Sequence, residues 1–188
     1  MVSGLALLAL LPAFLVIALA VKLTSSGPVL YRSVRVGRRG RHIAFLKFRT
    51  MVTGAEAQKA ALSHLNEKDG PIFKAKNDPR ITPVGRVLRK YSLDELPQLI
   101  HVLMGEMTLV GPRPHLPCEV ERYRPEDHAR LSVKPGLTCF WQVGGRSDLS
   151  FEEWVAMDLR YVREMGLRTD LRLLAATPKA VLGGKGAY

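Results

Sequence analysis

No acidic residue occurs before Glu56, and no charge of either sign before Lys22. The first absence leaves the opening of the chain with eight bases and nothing to balance them: Lys22, Arg32, Arg35, Arg38, Arg39, Arg41, Lys47 and Arg49 supply most of the net charge of +11. So one-sided a field implies an anionic partner, whether phospholipid headgroups, a phosphate-bearing substrate or nucleic acid. The second absence leaves Met1 to Val21 as an uninterrupted apolar run, about 30 Å long as a helix. Cysteine is scarce: Cys118 and Cys139 form no Cys-x-x-Cys pair and stand near no histidine at zinc spacing. That argues against a disulfide framework or a zinc site and for two reduced thiols in a cytosolic environment. Repeats and low-complexity linkers are absent too, and 188 residues of 47% apolar composition are enough for one domain with a modest core.

The apolar run admits three readings. Ala18-Leu-Ala20 has the small-x-small form of a signal-peptide cleavage site, but the n-region lacks a base and the run is long for an h-region. A spanning helix would keep the arginines after Lys22 cytoplasmic. A re-entrant helix would use Pro12, near the middle of the run, to break the backbone ladder and return by the face it entered. The residues alone leave the last two even, and both put the rest of the chain on the cytoplasmic surface.

After a turn-rich exit at Thr24-Ser-Ser-Gly-Pro28, strand-like sequence fills 29–36 and 42–50, with Gly37-Arg-Arg-Gly40 as the hairpin loop. A period of two places Phe45, Lys47 and Arg49 on one face of the second strand and Leu46 and Phe48 on the other. A short helix is expected over Gly54 to Leu65, a polar loop over Glu67 to Pro83, a helix over Val84 to Lys90 with Arg86, Arg89 and Lys90 near one side, and another from around Ser92 to Met104. Ser150-Phe-Glu-Glu153 is a capping box opening a helix through Met165, and Phe151, Trp154, Val155, Leu159 and Val162 form its apolar stripe. The last helix, Thr169 to Leu182, is expected to be interrupted by Pro178.

The densest chemistry lies in Ser92-Leu-Asp-Glu-Leu-Pro-Gln-Leu99. Asp94 and Glu95 could be helix-start acids, with Ser92 as N-cap and Glu95 as its capping-box partner, or with Pro97 as the first helical residue. Their surroundings favour a site. A positive helix end with Arg86 and Arg89 nearby keeps a carboxylate ionised and attracts phosphate. Two ionised acids also call for a counter-charge such as Mg²⁺, which takes one or two carboxylates plus phosphate oxygens. Gly111-Pro-Arg-Pro114 adds Arg113 in a stiff loop suited to bidentate phosphate contact.

These residues resemble the bacterial sugar transferase family, the monotopic phosphoglycosyl transferases. The matching stretches are Ser26-Gly-Pro-Val-Leu-Tyr31, Lys47-Phe-Arg-Thr-Met51, Asp78-Pro-Arg-Ile-Thr82, Ser92 to Leu99, Leu109-Val-Gly-Pro-Arg-Pro114, Lys134-Pro-Gly-Leu-Thr138 and Trp141-Gln-Val-Gly-Gly-Arg146. They stand in family order along almost the whole chain. The resemblance implies an α+β, mostly helical fold: a re-entrant membrane helix over 1–23, then a catalytic domain over 24–188 with a small β-hairpin and interfacial amphipathic helices around the active site. It implies transfer of a sugar 1-phosphate from a UDP-sugar to undecaprenyl phosphate, with release of UMP, at the cytoplasmic face of the bacterial inner membrane. Asp94 matches the nucleophile, Glu95 a Mg²⁺ ligand, Lys47, Arg89 and Arg113 the cations that hold phosphate, and Arg146 a nucleotide contact. The lipid bilayer is an implied partner, and the dimers formed by larger relatives make a homodimer one expected assembly. Two positions depart from the pattern, since Cys139 and His101 stand where Gly and Asn are expected, and the sequence opens at Met1-Val-Ser-Gly without the basic residue and Asp that usually precede the apolar run.

Two other classes compete. A nucleic-acid-binding module would explain the basic first quarter, yet it needs aromatics interleaved with the bases and gives no reason for the uncharged run, so no nucleic acid is expected as a partner. A membrane-anchored scaffold would keep the anchor and the basic face and make no demand on Asp94.

Overall fold

The computed structural model describes residues 2–67, 73–184 and 186. The chain is mostly helical around two small two-stranded sheets. It opens with α1 (Val2–Ala9) and α2 (Leu11–Thr24), which meet at a bend of 60°. Leu10 is the corner, and Pro12 sits in the first turn of α2, where its missing N–H costs least. No single helix among the described residues is long and apolar enough to cross a membrane, though the bent pair together has that length and composition. One side of α2 belongs to the body of the protein, because Ile17 and Val21 are buried with Phe48 and Leu88, and Phe14 meets Phe48 edge-on at 5.3 Å. The other side leaves Leu11, Leu15, Val16, Leu19 and Leu23 exposed.

The hairpin forms as expected: β1 (Leu30–Val36) pairs antiparallel with β2 (His42–Phe48), Tyr31 opposite Lys47. Its second strand is shorter than expected. Arg49 has left the strand, and it does not share the orientation of Lys47. Its Nη2 donates to the Ser25 carbonyl at 2.9 Å and its Nη1 to the Ser26 carbonyl and to Thr53 Oγ1, so it clamps the exit of α2.

The expected helix over 54–65 is absent. That segment is a chain of tight turns, such as Ala57 N–H to Gly54 O and Lys59 N–H to Glu56 O, ending in a 3₁₀ turn at Ser63–Leu65. Helix propensity is good there, but apart from Ala55 and the half-buried Lys59 and Leu62 the segment is exposed, so no apolar face is packed to hold a helix. Residues 68–72 of the expected polar loop lie outside the described residues. Beyond them Arg80 grips Asp78 through Nε and Nη2 and donates to the Ala55 carbonyl at 3.0 Å, which pins the loop to the turn segment.

Thr82 caps α3 (Pro83–Lys90) by accepting from the Gly85 N–H at 2.9 Å. Gly85 is required by packing: a Cβ there would lie 2.0 Å from the Thr50 carbonyl oxygen. A 3₁₀ turn (Leu93–Gln98) then leads into α4 (Leu99–Leu103). Neither expected helix start is observed. Ser92 takes a left-handed backbone with φ of 51° and its hydroxyl caps nothing, while Pro97 lies inside the turn. A serine at positive φ is a strained choice of the kind that gathers at functional sites.

The second sheet, β3 (Thr108–Val110) with β4 (Gly136–Thr138), is parallel, and α5 (Pro117–Val120) follows the first of these strands. Gly136 lets the strands meet, since a Cβ there would stand 2.0 Å from the Gly111 nitrogen. α6 (Phe140–Gly144), α7 (Phe151–Glu164) and α8 (Leu167–Gly183) close the fold. The Ser150–Glu153 capping box is present in both directions, at 3.1 and 2.7 Å. Trp154 and Val155 of the expected stripe are buried, with Tyr161 from the same helix joining the core beside Leu173. Pro178 does not interrupt α8: it is exposed, and the helix runs through it with Thr177 donating to the Leu173 carbonyl at 2.7 Å.

Candidate active site

A cleft of about 550 Å³ opens between the hairpin, α3, the 3₁₀ turn and the loops after β3 and α6. Lys47, Arg89, Asp94, Glu95, Arg113 and Arg146, drawn from five separate segments, all line it. Packing of β2 against the 3₁₀ turn brings Lys47 to the carboxylates. Its Nζ donates to Glu95 Oε1 at 3.0 Å and stands 3.7 Å from Asp94 Oδ2. Arg113 approaches Glu95 with a two-pronged fork, Nη1 to Oε2 at 2.8 Å and Nη2 to Oε1. Such side-on pairing is the strongest arrangement open to a carboxylate and a guanidinium. Arg89 is steadied by one bond, Nε to Thr50 Oγ1 at 2.9 Å. Arg146, at positive φ like Ser92, donates from Nε to the Gln142 carbonyl at 3.3 Å, and its Nη1 has no partner among the described residues. Under the charges lies the Phe45 ring, with Lys47, Arg35 and Arg113 at 5.8, 5.5 and 6.0 Å from its centre.

Two adjacent carboxylates thus sit in unlike surroundings. Burial works against ionisation of Glu95, but Arg113 and Lys47 outweigh it and hold the group well below the usual carboxylate range. Asp94 accepts no hydrogen bond from the described residues. Burial pushes its carboxyl up, against the pull of Lys47 and with the help of the Glu95 charge beside it. Glu95 is therefore a fixed anion, and Asp94 the more basic and less encumbered oxygen pair. Burial, then Arg89, Lys47 and Arg113, push the Lys74 ammonium down to about 7.

The counter-charge for the pair is provided by the chain's own cations. A magnesium ion still fits the donor set. No cluster of three or more acids, histidines or cysteines is found among the described residues, so the protein alone would offer one or two carboxylate ligands and leave the rest to phosphate and water, the habit of Mg²⁺. Glu95 is ionised and, with three hydrogen bonds accepted, keeps one lone pair, on Oε2, for a metal ligand's role.

Sequence reasoning missed several lining residues. Lys74 and Arg35 both reach the cleft; no spacing marks Lys74, although it stands just ahead of the Asp78–Thr82 stretch. His101 is buried behind the dyad, its ring stacked on Phe45, accepting at Nε2 from the Leu46 N–H at 3.2 Å and bonded through Nδ1 to Glu106 at 2.6 Å. It buttresses β2, so a histidine serves there. Cys139, the other departure, is fully buried against Trp141 and Trp154.

A family model described as bacterial sugar transferase matches residues 1–184. The chain belongs to the bacterial sugar transferase family. Among relatives in that family, the undecaprenyl-phosphate galactose phosphotransferase of Salmonella typhimurium is 47% identical over 169 residues, covering 86% of this chain and 35% of the relative. The galactosyl transferase CpsE of Streptococcus agalactiae serotype III is 44% identical over 162 residues, 86% of this chain and 36% of its own length. The exopolysaccharide production protein ExoY of Rhizobium meliloti is 41% identical over 190 residues, 99% of this chain and 84% of ExoY. The chain thus spans about a third of the first two relatives and most of the third.

Proposed function

We propose that this chain moves a sugar 1-phosphate from a UDP-sugar to undecaprenyl phosphate at the cytoplasmic face of the bacterial inner membrane. The observation that carries the reading is the division of labour in the dyad: a basic, sparsely bonded Asp94 beside an ionised, doubly clamped Glu95, in a cleft rich in cations. Family membership adds the chemistry named for its relatives, which include the UDP-glucose:undecaprenyl-phosphate glucose-1-phosphate transferase of Escherichia coli.

In this reading an Asp94 oxygen attacks the phosphorus that bears the sugar. A new bond forms between carboxylate oxygen and phosphorus, the bridge to the uridine phosphate breaks, and its electron pair leaves with UMP. An oxygen of the lipid phosphate then attacks the same phosphorus, freeing the Asp94 carboxylate and yielding a lipid diphosphate sugar. Dividing one displacement into two is the work of a nucleophilic side chain. Arg89, Lys47 and Arg113 hold phosphate charge, and Arg146 turns toward the nucleotide. Glu95 would hold Mg²⁺, which when bound would supply positive charge to the phosphate oxygens as UMP departs.

The apolar, exposed side of the bent α1–α2 pair supports a re-entrant seat in the bilayer. Five exposed apolar side chains on one helix form the sort of patch that soluble surfaces seldom carry.

The test is UMP release by detergent-purified protein with Mg²⁺ and a panel of UDP-sugars, with and without undecaprenyl phosphate. Acceptor-dependent turnover with one sugar is expected, together with a roughly stoichiometric burst of UMP without acceptor, as covalent catalysis requires. Asp94→Asn should remove both. A folded Asp94→Asn protein that still turns over would sink the reading.

A further inference from the structure

Behind the cleft lies a polar cluster that none of the matched stretches contains. Arg130 comes from the 3₁₀ turn Pro125–Ser132 and Asp158 from the middle of α7, and their side chains, 1% and 0% exposed, are ion-paired. Burying such a pair is costly. Desolvation of two charges commonly cancels their attraction, and apolar replacements of similar volume are often neutral or stabilising. Signs of that cost are visible: Arg130 Nε has no partner among the described residues, and burial pushes Asp158 up to about 6 in spite of Arg130. The pair therefore calls for a reason other than stability.

What Arg130 does with its other protons supplies one. Nη2 donates to the Arg113 carbonyl at 2.7 Å, and Nη1 donates to Nδ1 of His115 at 2.6 Å and to the Tyr123 hydroxyl. The Tyr123 hydroxyl lies 2.7 Å from the same Nδ1, whose single lone pair serves one of these two donors at a time. Burial, then Arg130, Arg35 and Arg113, hold the His115 ring well below its usual value, so it stays neutral and able to accept. One guanidinium thus grips both sides of Pro114, the carbonyl before it and the imidazole after it. Backbone bonds complete the hold: Gly111 N–H to Thr138 O at 3.0 Å, Gly136 N–H to Pro112 O at 2.9 Å and Val36 N–H to His115 O at 2.8 Å. From this tethered loop Arg113 projects its fork onto Glu95.

We propose that Arg130 and Asp158 are positioning residues, a buried clamp that fixes the backbone around Pro114 so that Arg113 meets Glu95 side-on and presents a defined phosphate seat. Asp158 orients the guanidinium, Arg130 holds the loop, and neither touches the cleft. The proposal rests on the transferase reading for its catalytic consequence, and its geometric part stands apart from it.

The experiment uses Arg130→Lys, which keeps a charge for Asp158 but cannot reach all its acceptors at once, and the apolar pair Arg130→Met/Asp158→Leu. For each, thermal unfolding, kcat and KM for UMP release, and amide hydrogen exchange at Val36 and Gly136, whose N–H groups donate to the loop's His115 and Pro112 carbonyls, are measured beside wild type. The expected result is a melting temperature close to wild type for the double variant, kcat lower by about tenfold or more because the reacting groups are mis-set, a smaller change in donor KM, and faster exchange at Val36 and Gly136 with the α7 amides unchanged. A folded variant with kcat within about twofold of wild type and unaltered exchange at both amides would overturn the proposal. Should the double variant fail to fold, Arg130→Lys carries the same readouts. If wild type itself releases no UMP, the transferase reading fails and the exchange data alone decide whether the clamp positions the loop.

Discussion

Neutralising each member of the dyad in turn should move stability unequally, with a clear loss at Glu95 and little loss or a gain at Asp94. Glu95 is held below its ordinary value by Arg113 and Lys47, so its charge favours the folded state, and that contribution is lost only as pH falls through the folded value. Asp94 is held above its ordinary value, so near neutral pH its charge opposes folding. Removing one partner from a buried ion pair costs about 3–5 kcal/mol. The side chains of Glu95, Arg113 and Lys47 keep 15%, 16% and 21% exposure, and discounting for that screening leaves roughly 2–3 kcal/mol for Glu95→Gln. At about 2–4 °C per kcal/mol for a chain of this length, the melting temperature should fall by about 4–12 °C. Asp94→Asn, which gives up one 3.7 Å pairing and no hydrogen bond, should melt within about 2 °C of wild type or above it. Scanning fluorimetry near neutral pH reads both. Added inorganic pyrophosphate should then raise the melting temperature of Glu95→Gln more than that of wild type, because Lys47 and Arg113 have lost their resident anion. Equal losses in the two variants, or no loss in Glu95→Gln, would refute the assignment of unlike surroundings.

Lys74, pushed down to about 7, is an ammonium below that pH and neutral above it; affinity for an anionic donor should weaken as pH rises through about 7, and Lys74→Arg, charged throughout, should flatten the donor KM profile between about pH 6 and 9. Gly85→Ala would put a methyl group 2.0 Å from the Thr50 carbonyl, displacing α3 and with it the Arg89–Thr50 bond; a loss of about 1–3 kcal/mol is expected in denaturant melts, along with a raised donor KM. Leu15→Asp/Leu19→Asp alters two side chains that are 65% and 61% exposed; the variant should fold and no longer float with liposomes, and full flotation would remove the case for a bilayer seat on that face.

Local signals in the sequence carried furthest where they acted over a few residues. Alternation and two glycines located the hairpin, and Ser150 with Glu153 located the start of α7 to the residue. The dyad and three of its four cations fall in recognisable stretches, and Arg89 just ahead of the dyad, so all could be named, yet their pairing could not. Nothing in the spacing of Lys47, Glu95 and Arg113 says that both cations lean on the glutamate and leave the aspartate nearly bare. Local rules also misled where packing decides. Residues 54–65 have the propensity for a helix and too little buried face to keep one. Ser92 has the chemistry of an N-cap and a backbone that forbids it. Pro178 has the means to break a helix, but at an exposed site it withholds a single N–H from a helix secured by its neighbours. The clamp of Arg130 and Asp158 joins residues 28 positions apart and was beyond any local pattern.

Arg49 stands two residues after Lys47 and holds the carbonyls of Ser25 and Ser26, where the apolar helix ends. The link is short and leaves little slack, so the cleft rides at a set height above whatever surface α2 lies against. On the proposed reading, a lipid whose phosphate rests at that height would need no lifting, and a soluble phosphate analogue would gain nothing from the arrangement. Choice of acceptor would then be a matter of altitude as well as of chemical recognition.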